Sequence, residues 1–89
     1  MRIKNEYVLR EIANTWVVLP IGQTAVNFNG MLSLNESGKM IWQQLEKGAS
    51  EQQLVEALMQ EYEVSAEKAK HDVVVFIENI RKIGCIEDD

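Results

Sequence analysis

The chain has 89 residues and a mass of 10.2 kDa, a length that allows one hydrophobic core and leaves a second folding unit too small to form its own. With 46% hydrophobic and 26% charged residues it has the make-up of a folded globular domain, which excludes wholesale disorder and collagen-like repeats. The net charge of -5 comes from fourteen acidic against nine basic side chains with no basic tract, so the chain starts at a disadvantage for binding nucleic acid. Cys85 is the single cysteine and His71 the single histidine; together they cannot supply an internal disulfide or a thiolate–imidazole zinc site. No stretch has the apolar length of a signal peptide or a membrane span, so a cytosolic protein with no membrane partner is expected.

In chain order, Tyr7-Val8-Leu9 and Trp16-Val17-Val18-Leu19 are short β-branched and aromatic groups separated by the turn-prone pair Asn14-Thr15, which predicts a hairpin with strands over about residues 7–13 and 15–20. Pro20 and Gly22 mark its exit. Asn29-Gly30 between alternating apolar residues predicts a type I′ turn leading into a strand over 31–34. Whether residues 24–28 make a strand of their own is left open by their pattern.

From Asn35 the period becomes helical. Asn35 caps a first helix over about 36–47 that turns Ile41, Trp42 and Leu45 inward and stops at Lys47-Gly48. Ser50, with Gln53 three residues on, makes a capping box for a second helix over 51–62, whose buried stripe is Leu54, Val55, Leu58, Met59 and Tyr62. Ser65 caps a third and longest helix over 66–83, ended by Gly84 in left-handed conformation. Ala69, Val73, Phe76, Ile77 and Ile80 share its core-facing arc. The expected fold is α+β and winged-helix-like: a three-stranded antiparallel meander at the N-terminal end followed by three helices, forming one domain over 1–89. Glu87-Asp88-Asp89 reads as a solvated acidic end.

No constellation supports catalysis. His71 has no base or nucleophile at a helical spacing that would make a triad, and Cys85 is expected to pack as a small hydrophobe against Ile80. No glycine pattern cradles a phosphate, and the expectation is no catalytic residue, no metal and no cofactor. The informative feature is an absence of charge: from Ile12 to Asn35 there is no Asp, Glu, Lys or Arg, although edge strands are ordinarily guarded by charges or proline. Met31–Leu34 would be an unguarded edge. In the third helix Val74 falls outside the core arc, on a flank with Lys70, Ile77 and Arg81. If that flank borders the bare strand, the two enclose a groove suited to an extended peptide carrying apolar and acidic residues.

Leu34-Asn35-Glu36-Ser37-Gly38 leading to Ile41-Trp42, with Leu54-Val55, Tyr62, Asp72-Val73, Phe76, Ile80 and Gly84, resembles the PqqD-like family, named after the pyrroloquinoline quinone synthesis protein D. The resemblance spans about residues 7–87 and is most specific at the Leu-Asn-Glu-Ser step. It implies a precursor-peptide recognition element that takes up the leader of a ribosomally made peptide as an added strand, between third strand and third helix. The captured leader is then presented to a modifying enzyme, often a radical S-adenosylmethionine enzyme. On matching positions the binding strand would be Met31, Leu32, Ser33 and Leu34; helix geometry adds Lys70, Val73, Val74, Ile77 and Arg81 as the other wall. The short length favours a separate adaptor over a domain fused to an enzyme. Two alternatives stand beside this reading. A DNA-binding winged helix is weakened by the acidic residues interleaved in the third helix, and a structural homodimer paired through the edge strand would use the same bare margin.

Overall fold

The computed structural model describes residues 1–22 and 32–88. Its elements, in order, are β1 (Arg2–Ile3), β2 (Tyr7–Ile12), β3 (Thr15–Pro20), β4 (Leu32–Leu34), α1 (Glu36–Glu46), α2 (Glu51–Glu61), α3 (Ala66–Ile83) and β5 (Ile86–Glu87). This is the expected α+β, winged-helix-like arrangement, a three-stranded antiparallel sheet followed by three helices. The predicted turn at Asn29-Gly30, the segment 24–28 and Met31 lie outside the described residues.

β2, β3 and β4 form one antiparallel sheet in that order. Its register pairs Leu9 with Val18 and Val18 with Leu32, then Glu11 with Trp16 and Trp16 with Leu34, so Leu9, Trp16, Val18, Leu32 and Leu34 share the face that meets the core. The hairpin turn differs from the sequence expectation by one position. Ile12 pairs with Thr15, leaving Ala13 and Asn14 as the loop, with φ of 51° and 66°. Two positive φ values give the mirror-image turn whose twist matches the strands. Asparagine tolerates that conformation; alanine does not signal it, so the sequence pointed one residue too far.

The helix ends obey the capping chemistry. Asn35 accepts from the backbone N–H of Gly38, Ser50 and Gln53 complete a reciprocal capping box, and Gly84 closes α3 at φ 97°. Against the sheet, the helices bury Ile41, Trp42 and Leu45 from α1, Leu54, Val55 and Leu58 from α2, and Ala69, Val73, Ile77 and Ile80 from α3. Cys85 joins them in the core, and its backbone N–H bonds the Ile80 carbonyl just past the glycine stop. Met59, expected on the buried stripe, is 42% exposed; it sits about 100° round α2 from Leu58, beyond the arc the core can cover.

A second correction concerns the ends of the described chain. β1 and β5 pair antiparallel, Arg2 with Glu87 and Ile3 with Ile86, and the Lys4 N–H bonds the Cys85 carbonyl. The acidic end is therefore engaged: Glu87 lies in a strand and Asp88 pairs with Arg81. Two-residue strands carry no period, so only the return of the chain past α3 reveals them.

Candidate functional site

The three-stranded sheet has two outer margins, and they differ in chemistry. β2 bears Arg10 and Glu11, and Arg10 Nη1 donates to the Leu9 carbonyl at 2.9 Å, engaging a backbone acceptor of that strand. β4 bears Leu32, Ser33 and Leu34, and among the described residues it pairs only with β3. Charge near a margin discourages a second strand from docking; an uncharged margin does not. β4 is the open side.

Immediately after β4, Asn35 turns the chain into α1. Its Oδ1 accepts from the Gly38 N–H at 2.8 Å and from the Ser37 hydroxyl at 3.1 Å, which satisfies orphan donors of the first turn. Gly38 is buried in that turn. A Cβ built there would lie 3.2 Å from the Phe76 ring of α3 and 3.5 Å from Leu34 Cβ, so Gly38 is approached both by α3, through Phe76, and by the end of β4. Beside this junction opens a groove of about 770 Å³, within the size range of ligand sites. Its apolar walls are Ile41 of α1, Leu58 of α2, Tyr62 and Val64 of the turn that follows, and Val75 and Phe76 of α3. Glu36, Lys68, His71, Asp72 and Asn79 also line it. Lys68 and Asp72 pair at 3.2 Å, and Glu36 faces Lys39 at 3.7 Å, so the rim charges are largely matched within the protein. Lys39 also stands 4.4 Å over the Trp16 ring, joining α1 to β3.

The residues expected at the site are distributed unevenly. Leu32 is half-buried, Ser33 exposed and Leu34 buried, all on the open margin; Met31 lies outside the described residues. On α3, Val73 is fully buried and Ile77 is 7% exposed, so both belong to the packed core beneath the groove. Lys70, Val74 and Arg81 share a flank turned about 160° from Lys68, Asp72 and Asn79. At its C-terminal end this flank faces the β1–β5 pair. Arg81 Nη2 contacts Asp88 Oδ1 at 3.2 Å and Met1 Sδ at 3.5 Å. The hydrogen bond to Asp88 raises the Arg81 pKa, and the same contact holds the Asp88 carboxyl below its usual range. Arg81 is thus engaged within the chain, and an acidic peptide group would have to compete with Asp88 for it.

Phe76, Val75 and Tyr62 line the groove, where the sequence expectation did not place them. Phe76 was assigned to the core arc, and it is in fact half-buried at one edge of that arc. Val75, 41% exposed, stands in a five-residue apolar run longer than one stripe requires, and that excess is the available signal. Among the described residues no group of three or more His, Cys, Asp or Glu could hold a metal. Cys85 is fully buried and its thiol is pushed up to about 11 by burial.

The fold and the groove together admit comparison with known proteins. The family of coenzyme PQQ synthesis protein D (PqqD) matches residues 15–86. The chain belongs to the PqqD family. Among solved structures, TbiB1 in complex with the TbiA(beta) leader peptide is 26% identical, with a TM-score of 0.80 over 100% of this chain and 98% of that one. Lasso peptide synthetase B1 complexed with the leader peptide is 23% identical, with a TM-score of 0.77 over 98% of this chain and 96% of that one, and shows the shared fold. No curated protein matches the chain. Among the described residues of this PqqD-family chain, no helix is long and apolar enough to cross a membrane.

Proposed function

We propose that this PqqD-family chain is a non-catalytic adaptor: it binds the leader segment of a ribosomally made precursor peptide as a strand added to β4, and presents that peptide to a separate modifying enzyme. The observation that carries the reading is the uncharged, one-sided margin of Leu32–Leu34 beside an apolar groove. Family membership supports it, as do the two solved structures of the same fold, both of which contain a leader peptide.

Strand addition explains why a small and acidic domain can bind a peptide without a deep pocket. Outward N–H and C=O groups of β4 pair with the incoming backbone, each bond contributing about 0.5–1.5 kcal/mol net. That gain is independent of sequence. Selectivity comes from side chains that leave the added strand and enter the groove bounded by Tyr62, Val75 and Phe76. Leu32, Ser33 and Leu34 form the strand wall in this reading, while Lys70, Val74 and Arg81 stand apart on the other flank. The modifying enzyme belongs to a class that acts on leader-bearing peptides, with a radical S-adenosylmethionine enzyme as the first candidate. Catalysis is not assigned to this chain, because its one thiol is sealed in the core with a raised pKa.

The test is a selection of random 16-residue peptides displayed on phage against the purified chain, followed by nuclear magnetic resonance of the best binder with labelled protein. The expected result is enrichment of apolar-rich peptides whose addition shifts the Leu32, Ser33 and Leu34 amides and slows their hydrogen exchange. Enriched peptides that leave those amides unmoved, or a selection with no enrichment, would remove the proposal.

A further inference from the structure

We infer that Gly38 and Phe76 form a steric gauge that sets how large a peptide side chain the groove accepts next to the end of β4. The inference rests on the reading of that groove as part of the leader site. Gly38 sits in the first turn of α1 without a positive φ, so backbone freedom does not explain it, and glycine is the poorest helix former after proline. What explains it is the close approach. A methyl at position 38 would stand 3.2 Å from Phe76 Cε2 and 3.1 Å from Asn35 Oδ1, distances that oblige a neighbour to move.

The Asn35 side chain is held by two hydrogen bonds at the helix cap, whereas the Phe76 ring is only half-buried. On its other side the ring packs against the buried core, and a close-packed interior offers it no room. The ring can yield only toward the groove that it lines. A side chain larger than hydrogen at position 38 therefore narrows the groove, and a side chain smaller than phenylalanine at position 76 deepens it. The native pair, the smallest residue against a large ring, fixes one intermediate depth. The occupant is an apolar side chain of the peptide strand itself, because the groove begins at Asn35, the residue that directly follows the β4 margin.

The experiment uses the best phage-derived peptide, fluorescently labelled, in five forms carrying Ala, Val, Leu, Phe or Trp at the position whose resonances move with the Phe76 ring. Affinities are measured by fluorescence anisotropy for the native chain, Gly38→Ala, Phe76→Leu and the double variant, each checked for folding by circular dichroism. Gly38→Ala is expected to weaken the Phe form about tenfold, the scale of one methylene in an apolar pocket, while leaving the Ala form within about twofold. Phe76→Leu should strengthen the Trp form relative to the Leu form. The double variant should recover the native ranking, a coupling that separate structural defects would not produce. If the variants weaken all five forms equally, or if the double variant shows only the sum of the single effects, the gauge is overturned and the leader site stands. If the native chain binds none of the selected peptides in solution, the leader reading falls and the gauge with it.

Discussion

Two neighbouring valines of α3 separate the groove from the flank that sequence geometry favoured. Val75 lines the groove and is 41% exposed; Val74 precedes it, about 100° away around the helix, on the side of Lys70 and Arg81. Fully burying a valine side chain is worth about 1.5 kcal/mol, so covering the exposed 41% of Val75 with peptide contributes about 0.6 kcal/mol. Val75→Glu removes that gain and places a carboxylate where the peptide would strip its water, a further cost of about 1–3 kcal/mol. The total, centred on about 2.6 kcal/mol, corresponds to roughly a seventyfold loss of affinity at about 1.4 kcal/mol per decade. Val74→Glu should stay within about twofold, the usual range of substitutions away from an interface. Glutamate is a better helix former than valine, so Val75→Glu keeps its fold, and thermal melts followed by circular dichroism verify this for both. Anisotropy titration of the phage-derived peptide reads the affinities. Loss of binding in Val74→Glu with none in Val75→Glu would place the peptide on the Lys70–Arg81 flank and refute the assignment of Phe76 to the binding wall.

Two further outcomes test the supports of the site. Asn35→Ala deletes the cap of α1 and should cost about 1 kcal/mol, lowering the melting temperature by about 5 °C for a domain of this size; an unchanged calorimetric melt would show that the cap does not hold the β4–α1 junction. Cys85, buried and with its thiol pushed up to about 11, should resist Ellman's reagent at pH 8 until the chain unfolds. Its folded pKa lies above the ordinary 9.0, so its contribution to stability is present below pH 9.0 and is lost as pH rises toward 11. Cys85→Ala should flatten that part of the alkaline melting curve, and immediate labelling of the native thiol would contradict the burial.

Membership of the PqqD family places the open β4 margin in a fold for which leader-bound structures exist, and it also sharpens what is particular to this chain. The two sheet margins are not equivalent: one carries Arg10 and Glu11, the other nothing charged. Under the proposed strand addition, that asymmetry favours Leu32–Leu34 as the receiving margin. The groove beside it has its charges paired internally, so in the proposed adaptor discrimination among peptides would rest on the shape of apolar walls more than on attraction between opposite charges.

Local chemistry wrote the elements of this protein into its sequence. Asn35, Ser50 and Ser65 announce helix starts because their side chains can satisfy nearby N–H groups, Gly84 announces a stop because it accepts a positive φ, and the charge-free run announces an undefended strand. Each of these depends on residues a few positions apart, which is why they are legible without coordinates. The turn at Ala13-Asn14 was displaced by one residue because strand pairing, rather than residue preference, decided which positions take positive φ. The pairing of β1 with β5 and the engagement of Arg81 by Asp88 depend on the chain returning past α3, and no short-range pattern records that. The same holds for the groove wall. Helical period divides α3 into two flanks but does not say what each one meets; only the packed helices set Phe76 beside Gly38 and the groove and Arg81 beside Asp88.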